Sequence, residues 1–120
     1  MNIVEDYVSF EVAKLLKEKG FNIPCDYAYN NKASYFEVDR SNFDEVYCFR
    51  PSLAMTMKWL REAHRLKINT WYENTLRNGH YETWNSEVCD EYDDLYYLGH
   101  YDTYEEACEA GIKYCLTNLI

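Results

Sequence analysis

Apolar residues recur at helical spacing in three stretches of the chain, and at period two in the segments between them. The first stretch opens at Ser9, a good N-cap, and runs from Phe10 to Lys19. Gly20 follows where a left-handed C′ residue belongs. Phe10, Val12, Ala13, Leu15 and Leu16 lean to one side, with Glu11, Lys14 and Glu18 opposite. The second stretch follows Pro51-Ser52 and runs from Leu53 to about Arg65. Leu53, Met57, Leu60 and His64 form its apolar stripe, and Lys58, Arg61, Glu62 and Arg65 the opposite one. The third begins at Thr103-Tyr104-Glu105-Glu106, a capping box in which the Glu106 side chain can return a bond to the cap N–H. Tyr104, Cys108, Gly111, Ile112, Cys115 and Leu119 make its buried face.

Between the helices the pattern is that of strands. Cys25, Tyr27 and Tyr29 alternate with Asp26, Ala28 and Asn30, and Asn30-Asn31-Lys32 turns the chain into Ala33–Val38. Ser41–Asp44 reads as loop, and Val46–Arg50 as a third, short strand. Lys67–Asn74 and His80–Val88 flank Asn78-Gly79, a hairpin-turn dipeptide. Asp90 to Asp94 then forms an acidic loop before Leu95–Tyr101. The expected fold class is α+β, with antiparallel hairpins packed against three helices in the order α-β-β-(β)-α-β-β-β-α. At 120 residues the chain is expected to be a single domain, residues 1–120, burying roughly two-thirds of its unfolded surface.

Composition changes this picture in two ways. Thirteen tyrosines and three tryptophans argue for a folded chain despite a net charge of -9. Nine of those tyrosines fall on expected strands, where aromatics fit the pleated surface. Alternation sends neighbours such as Tyr96 and Tyr97 to opposite faces, so the sheet face away from the helices must display aromatic rings. Five cysteines form no CxxC pair, and the N-terminal residues lack a signal-peptide pattern. Reduced cytoplasmic thiols are the expectation, with no metal and no cofactor, since zinc ligands usually include a closely spaced pair. Apolar runs are too short for a membrane span.

Charge is sorted along the chain. Asn78 to Ile112 holds ten carboxylates and no Lys or Arg, whereas Arg50 to Lys67 holds five cations against the single acid Glu62. An acidic, tyrosine-rich surface made by Asp90, Glu91, Asp93, Asp94, Tyr96, Tyr97 and Tyr101 is the candidate docking site. Its expected partner is another protein, or a second copy of this chain. The Asp90–Asp94 run fails as an EF-hand calcium loop, because Tyr92 and Leu95 occupy ligand positions. Lys58, Arg61 and Arg65, at i, i+3 and i+7, make a basic ridge that carries the alternative reading, a nucleic-acid-binding domain. The net charge weighs against that alternative.

The segments YVSFEVAKLLKEKGF, RPSLAMTMKWLREAHRLKI and YDTYEEACEAGIKYCLTNLI resemble a family of small proteins of gut anaerobic bacteria, their phages and mobile elements. The resemblance implies a cytosolic accessory protein and carries over no functional residue. A looser likeness joins Leu98–Ala107 to the strand-into-helix junction of DNA-binding domains in which a three-stranded sheet packs on one helix. The αβββα order from the second helix onward is also that of double-stranded RNA-binding domains, an analogy of topology alone.

Catalytic signatures such as GxSxG, a P-loop, GxGxxG or HExxH do not occur in the sequence. One constellation of suitable types remains: Cys89 and His100 meeting across a hairpin, with Asp102 nearby. An enzyme using such a site ranks third, behind the protein-binding and nucleic-acid-binding readings.

Overall fold

The computed structural model describes residues 1–74 and 83–120. The Asn78-Gly79 turn expected from the sequence, with His80, Tyr81 and Glu82, lies outside the described residues. The chain divides into two units, Met1–Leu53 and Ala54–Ile120.

In the first unit, helix α1 (Phe10–Glu18) starts where Ser9 Oγ accepts from the Val12 N–H at 3.3 Å. It ends in a Schellman arrangement: the N–H of Phe21 reaches Leu16 O, that of Gly20 reaches Lys17 O, and Gly20 sits at φ +94°. Val12, Ala13 and Leu16 are its buried residues. Strands β1 (Tyr27–Tyr29), β2 (Tyr35–Glu37) and β3 (Cys48–Phe49) form an antiparallel sheet in the order β2-β1-β3, with a 3₁₀ turn at Phe43–Glu45 before β3.

A cation at the centre of this unit joins its N-terminal segment to the sheet. The Arg50 guanidinium lies 4.1 Å from the Tyr35 ring centre and 4.6 Å from that of Tyr7. Its Nε donates to the Tyr29 hydroxyl, which in turn donates to Val8 O at 2.7 Å. Two tyrosines expected on strands, Tyr29 and Tyr35, therefore engage one arginine together with Tyr7, each ring face contributing attraction to the planar cation.

In the second unit, helix α2 (Leu53–His64) precedes strands β4 (Lys67–Glu73), β5 (Thr83–Cys89) and β6 (Leu95–Tyr101). These form a second antiparallel sheet in the order β4-β5-β6. Helix α3 (Tyr104–Tyr114) follows, capped where Thr103 Oγ1 accepts from the Glu106 N–H, and widens into a π-helical turn at Cys115–Leu119. The α+β class and the element order expected from the sequence are present. Helix α2 stops at His64, because Arg65 turns to φ +57° and the Leu66 N–H returns to Leu60 O.

Helix α3 lies against one face of the β4-β5-β6 sheet. Ile68, Thr70 and Tyr72 of β4 pair with Val88, Ser86 and Trp84 of β5 and stand on that face. Trp84 meets Tyr104 edge-on at 5.2 Å, and Tyr96 of β6 meets Tyr114 at 5.5 Å. The closest approach is at Gly111: a Cβ built there would lie 2.5 Å from Ile68 Cγ2. Glycine is required at this point by steric approach, not by backbone angle.

Gly111→Ala should therefore displace α3 from β4 and lower stability by about 1–3 kcal/mol. Urea unfolding checks this, and an unchanged midpoint would show that the helix sits farther from the strand.

Candidate functional site

The seven residues expected to form one acidic, tyrosine-rich surface are divided by the sheet. Alternation places Trp71 of β4 and Tyr97 of β6 on the face opposite α3, with ring centres 6.2 Å apart. Tyr96 turns to the helix side. Tyr101 would share a face with Tyr97 in a regular strand, since four residues separate them. It does not, because β6 carries an extra residue: Tyr97 pairs with Glu87 and Gly99 with Ser86, leaving Leu98 as a bulge. The bulge reverses the alternation, and Tyr101 pairs with Trp84 on the helix side. Tyr96 and Tyr101 thus leave the expected patch, and Trp71 joins it.

The acidic loop is a hairpin turn whose first carboxylate is part of its frame. The Asp90 N–H reaches Asp94 O, the Asp93 N–H reaches Asp90 O, and Asp93 adopts φ +65°, the pattern of a three-residue loop with a left-handed third residue. Asp90 Oδ1 accepts from the N–H groups of Tyr92 and Asp94 at 2.9 and 3.0 Å, and its Oδ2 from the Tyr96 hydroxyl at 3.0 Å. Removal from water pushes the Asp90 carboxyl upward, but these hydrogen bonds outweigh it and hold the group below its ordinary value. The bond to Asp90 pushes the Tyr96 phenol up in the same exchange. Asp90 is buried and is a structural member of the turn; Glu91, Asp93 and Asp94 are exposed around it.

Three large side chains stand in water among these acids: Tyr92 is 78% exposed, Leu95 63% and Tyr97 55%. Exposed rings and an isobutyl group beside carboxylates make a surface suited to contact. Tyr92 and Leu95 are not among the residues expected at the surface, though their signal is in the sequence: one large side chain interrupts the acidic run and the other directly follows it. Beneath Tyr97 the strand is polar. Asn85, fully buried, accepts from the Tyr97 hydroxyl at 2.7 Å, while its Nδ2 and the Thr83 Oγ1 have no hydrogen-bond partner among the described residues. The Tyr97 hydroxyl also lies 3.2 Å from His100 Nε2.

The Cys89/His100 constellation is not assembled. His100 pairs with Asn85, and Cys89 pairs with Leu95, four residues farther along β5, or roughly 13 Å. The Cys89 thiol instead faces Asp90 O and Asp93 Oδ1. A different cluster lies under α3, where Tyr104, Cys108 and Thr70 exchange hydrogen bonds. Burial pushes the Cys108 thiol up, as it does Cys115, to about 12, and Cys25, to about 11. Such thiols stay protonated at neutral pH and are poor nucleophiles. Among the described residues no three His, Cys, Asp or Glu side chains group as metal ligands, and no helix is long and apolar enough to cross a membrane. On α2, Lys58 and Arg61 are exposed, but Arg65 has left the helix and with it the i+7 position of the ridge.

The pH dependence of the turn follows from Asp90. Its depressed carboxyl stabilises the fold above the ordinary carboxylate range, and that contribution is lost as the pH falls through the folded-state value. Asp90→Ala should lower the Tm at neutral pH and flatten the acid limb of the Tm-against-pH curve; coincident curves for both proteins would contradict the assignment. Comparisons with protein families, with curated proteins and with solved structures found no match to this chain.

Proposed function

We propose that this protein is a non-catalytic binding module whose partner is a positively charged segment of another protein, taken up at the β5–β6 hairpin. The observation that carries the reading is the grouping of exposed Tyr92, Leu95 and Tyr97 with exposed Glu91, Asp93 and Asp94 at one end of the second sheet. Apolar contact supplies affinity there, and the acids select the sign of the partner. The sorted charge of the sequence points the same way, with ten carboxylates and no cation between Asn78 and Ile112. Five free thiols fit a reducing compartment, so we place the protein in the cytoplasm.

The rival, nucleic-acid binding through α2, rests on Lys58 and Arg61 now that Arg65 lies off the helix. Both readings make opposite demands on the same charge reversals. Glu91→Lys with Asp94→Lys changes the tip without touching the Asp90 frame, and avoids Asp93, where a left-handed backbone would strain a lysine.

Affinity capture from cell extract should lose its partners by about tenfold or more in this double variant, with circular dichroism unchanged. Lys58→Glu with Arg61→Glu should leave capture intact. The reverse pattern, with salt-sensitive binding of duplex or single-stranded nucleic acid by the unmodified protein, would replace the protein-docking reading with the nucleic-acid one.

A further inference from the structure

Strand β6 ends its sheet, with β5 on one side and, among the described residues, no further strand on the other. Along that edge lies a groove of about 340 Å³ between β6 and the C-terminal part of α3. Leu98 and Tyr101 line it from the strand, and Ala110, Tyr114, Thr117 and Asn118 from the helix and its π-helical turn. Sheet edges with unpaired peptide groups accept another strand, and proteins that do not use them usually blunt them with charge or a bulge. Here the bulge at Leu98 limits regular pairing to the stretch before it, Leu95–Tyr97. Leu98 lies on the helix side, as Tyr96 does, and forms a wall of the groove.

From this arrangement we infer that the partner binds as an extended, cationic peptide, adding a strand to the Leu95–Tyr97 edge of β6 and placing alternate side chains in the groove beside α3. The inference rests on the docking reading above and specifies its geometry. Charge favours this occupant. The free stretch of edge starts directly after Glu91, Asp93 and Asp94, all exposed. Lys113 is the one cation among the residues lining the groove, so the attraction comes from the acidic turn rather than from the groove wall. In such a mode main-chain bonds give affinity without sequence preference, and the groove sorts the side chains at every second position.

The probe is an array of immobilised decapeptides in which Lys alternates with Val, Ile, Leu, Phe, Tyr or Thr, each made also with N-methylated backbone at alternate residues and with Glu in place of Lys. Binding of Lys peptides, lost at least tenfold on N-methylation and on Glu replacement, is the expected result. Thr117→Trp, at an exposed position, should fill the groove and weaken the bulky members most while leaving the fold unchanged by circular dichroism. Lys peptides that bind equally well with N-methylated backbone, yet weaken with Glu91→Lys and Asp94→Lys, would retain the acidic docking surface and overturn strand addition. No binding of any Lys peptide, or binding indifferent to the charge reversals, would overturn both.

Discussion

The approach of α3 to the second sheet decides what the rest of that unit can offer. Ile68 fits against Gly111 with no room for a methyl group between them, so the helix lies close, and Val88, fully buried, shares its face. Once that face is committed, period-two alternation leaves the other to Trp71 and Tyr97. Hydrophobic burial fixes the helix and strand pleat assigns the remaining side chains. The exposed aromatics follow from this geometry, and exposed acids stand beside them.

Asp90 provides the second constraint. A carboxylate that accepts two backbone N–H groups and one phenol ties the turn to β6 and gives the loop a defined shape. With Asp90 turned inward, its neighbours Glu91, Asp93 and Asp94 are held outward. The same sequence run that reads as one acidic cluster is thus one buried frame residue and three solvated charges. In the first unit Arg50 has a comparable part, engaged by Tyr7, Tyr29 and Tyr35. Several of the tyrosines that made the composition look like a binding surface are consumed in this way.

The helices were legible in the sequence because their signals are local. Ser9, Thr103 and Gly20 stand at the caps where their residue types place them. Strand β6 matched at both ends, since Asp90–Asp94 and Asp102-Thr103 punctuate it. What could not be read was non-local. The bulge at Leu98 depends on pairing with Ser86 and Glu87, and it alone moves Tyr101 to the helix side. The inward turn of Asp90 depends on the Tyr96 hydroxyl. Arg65 was read as helical because its charge suits the polar stripe, whereas the chain ends α2 there with a left-handed residue that is not glycine. The buried Thr83, Asn85 and Ser86, each with a polar atom left without a hydrogen bond among the described residues, depart most from local consistency.

On the strand-addition proposal, the β6 edge and the acidic turn beside it form one receptor for a positively charged extended segment. Titration of the ¹⁵N-labelled protein with a decapeptide of alternating Lys and Val at low salt tests it directly. Amide shifts concentrated at Leu95, Tyr96 and Tyr97 and at Thr117 and Asn118, fading as salt is raised, are the expected result. An unchanged spectrum, or shifts gathered on α2 around Lys58 and Arg61, would contradict it.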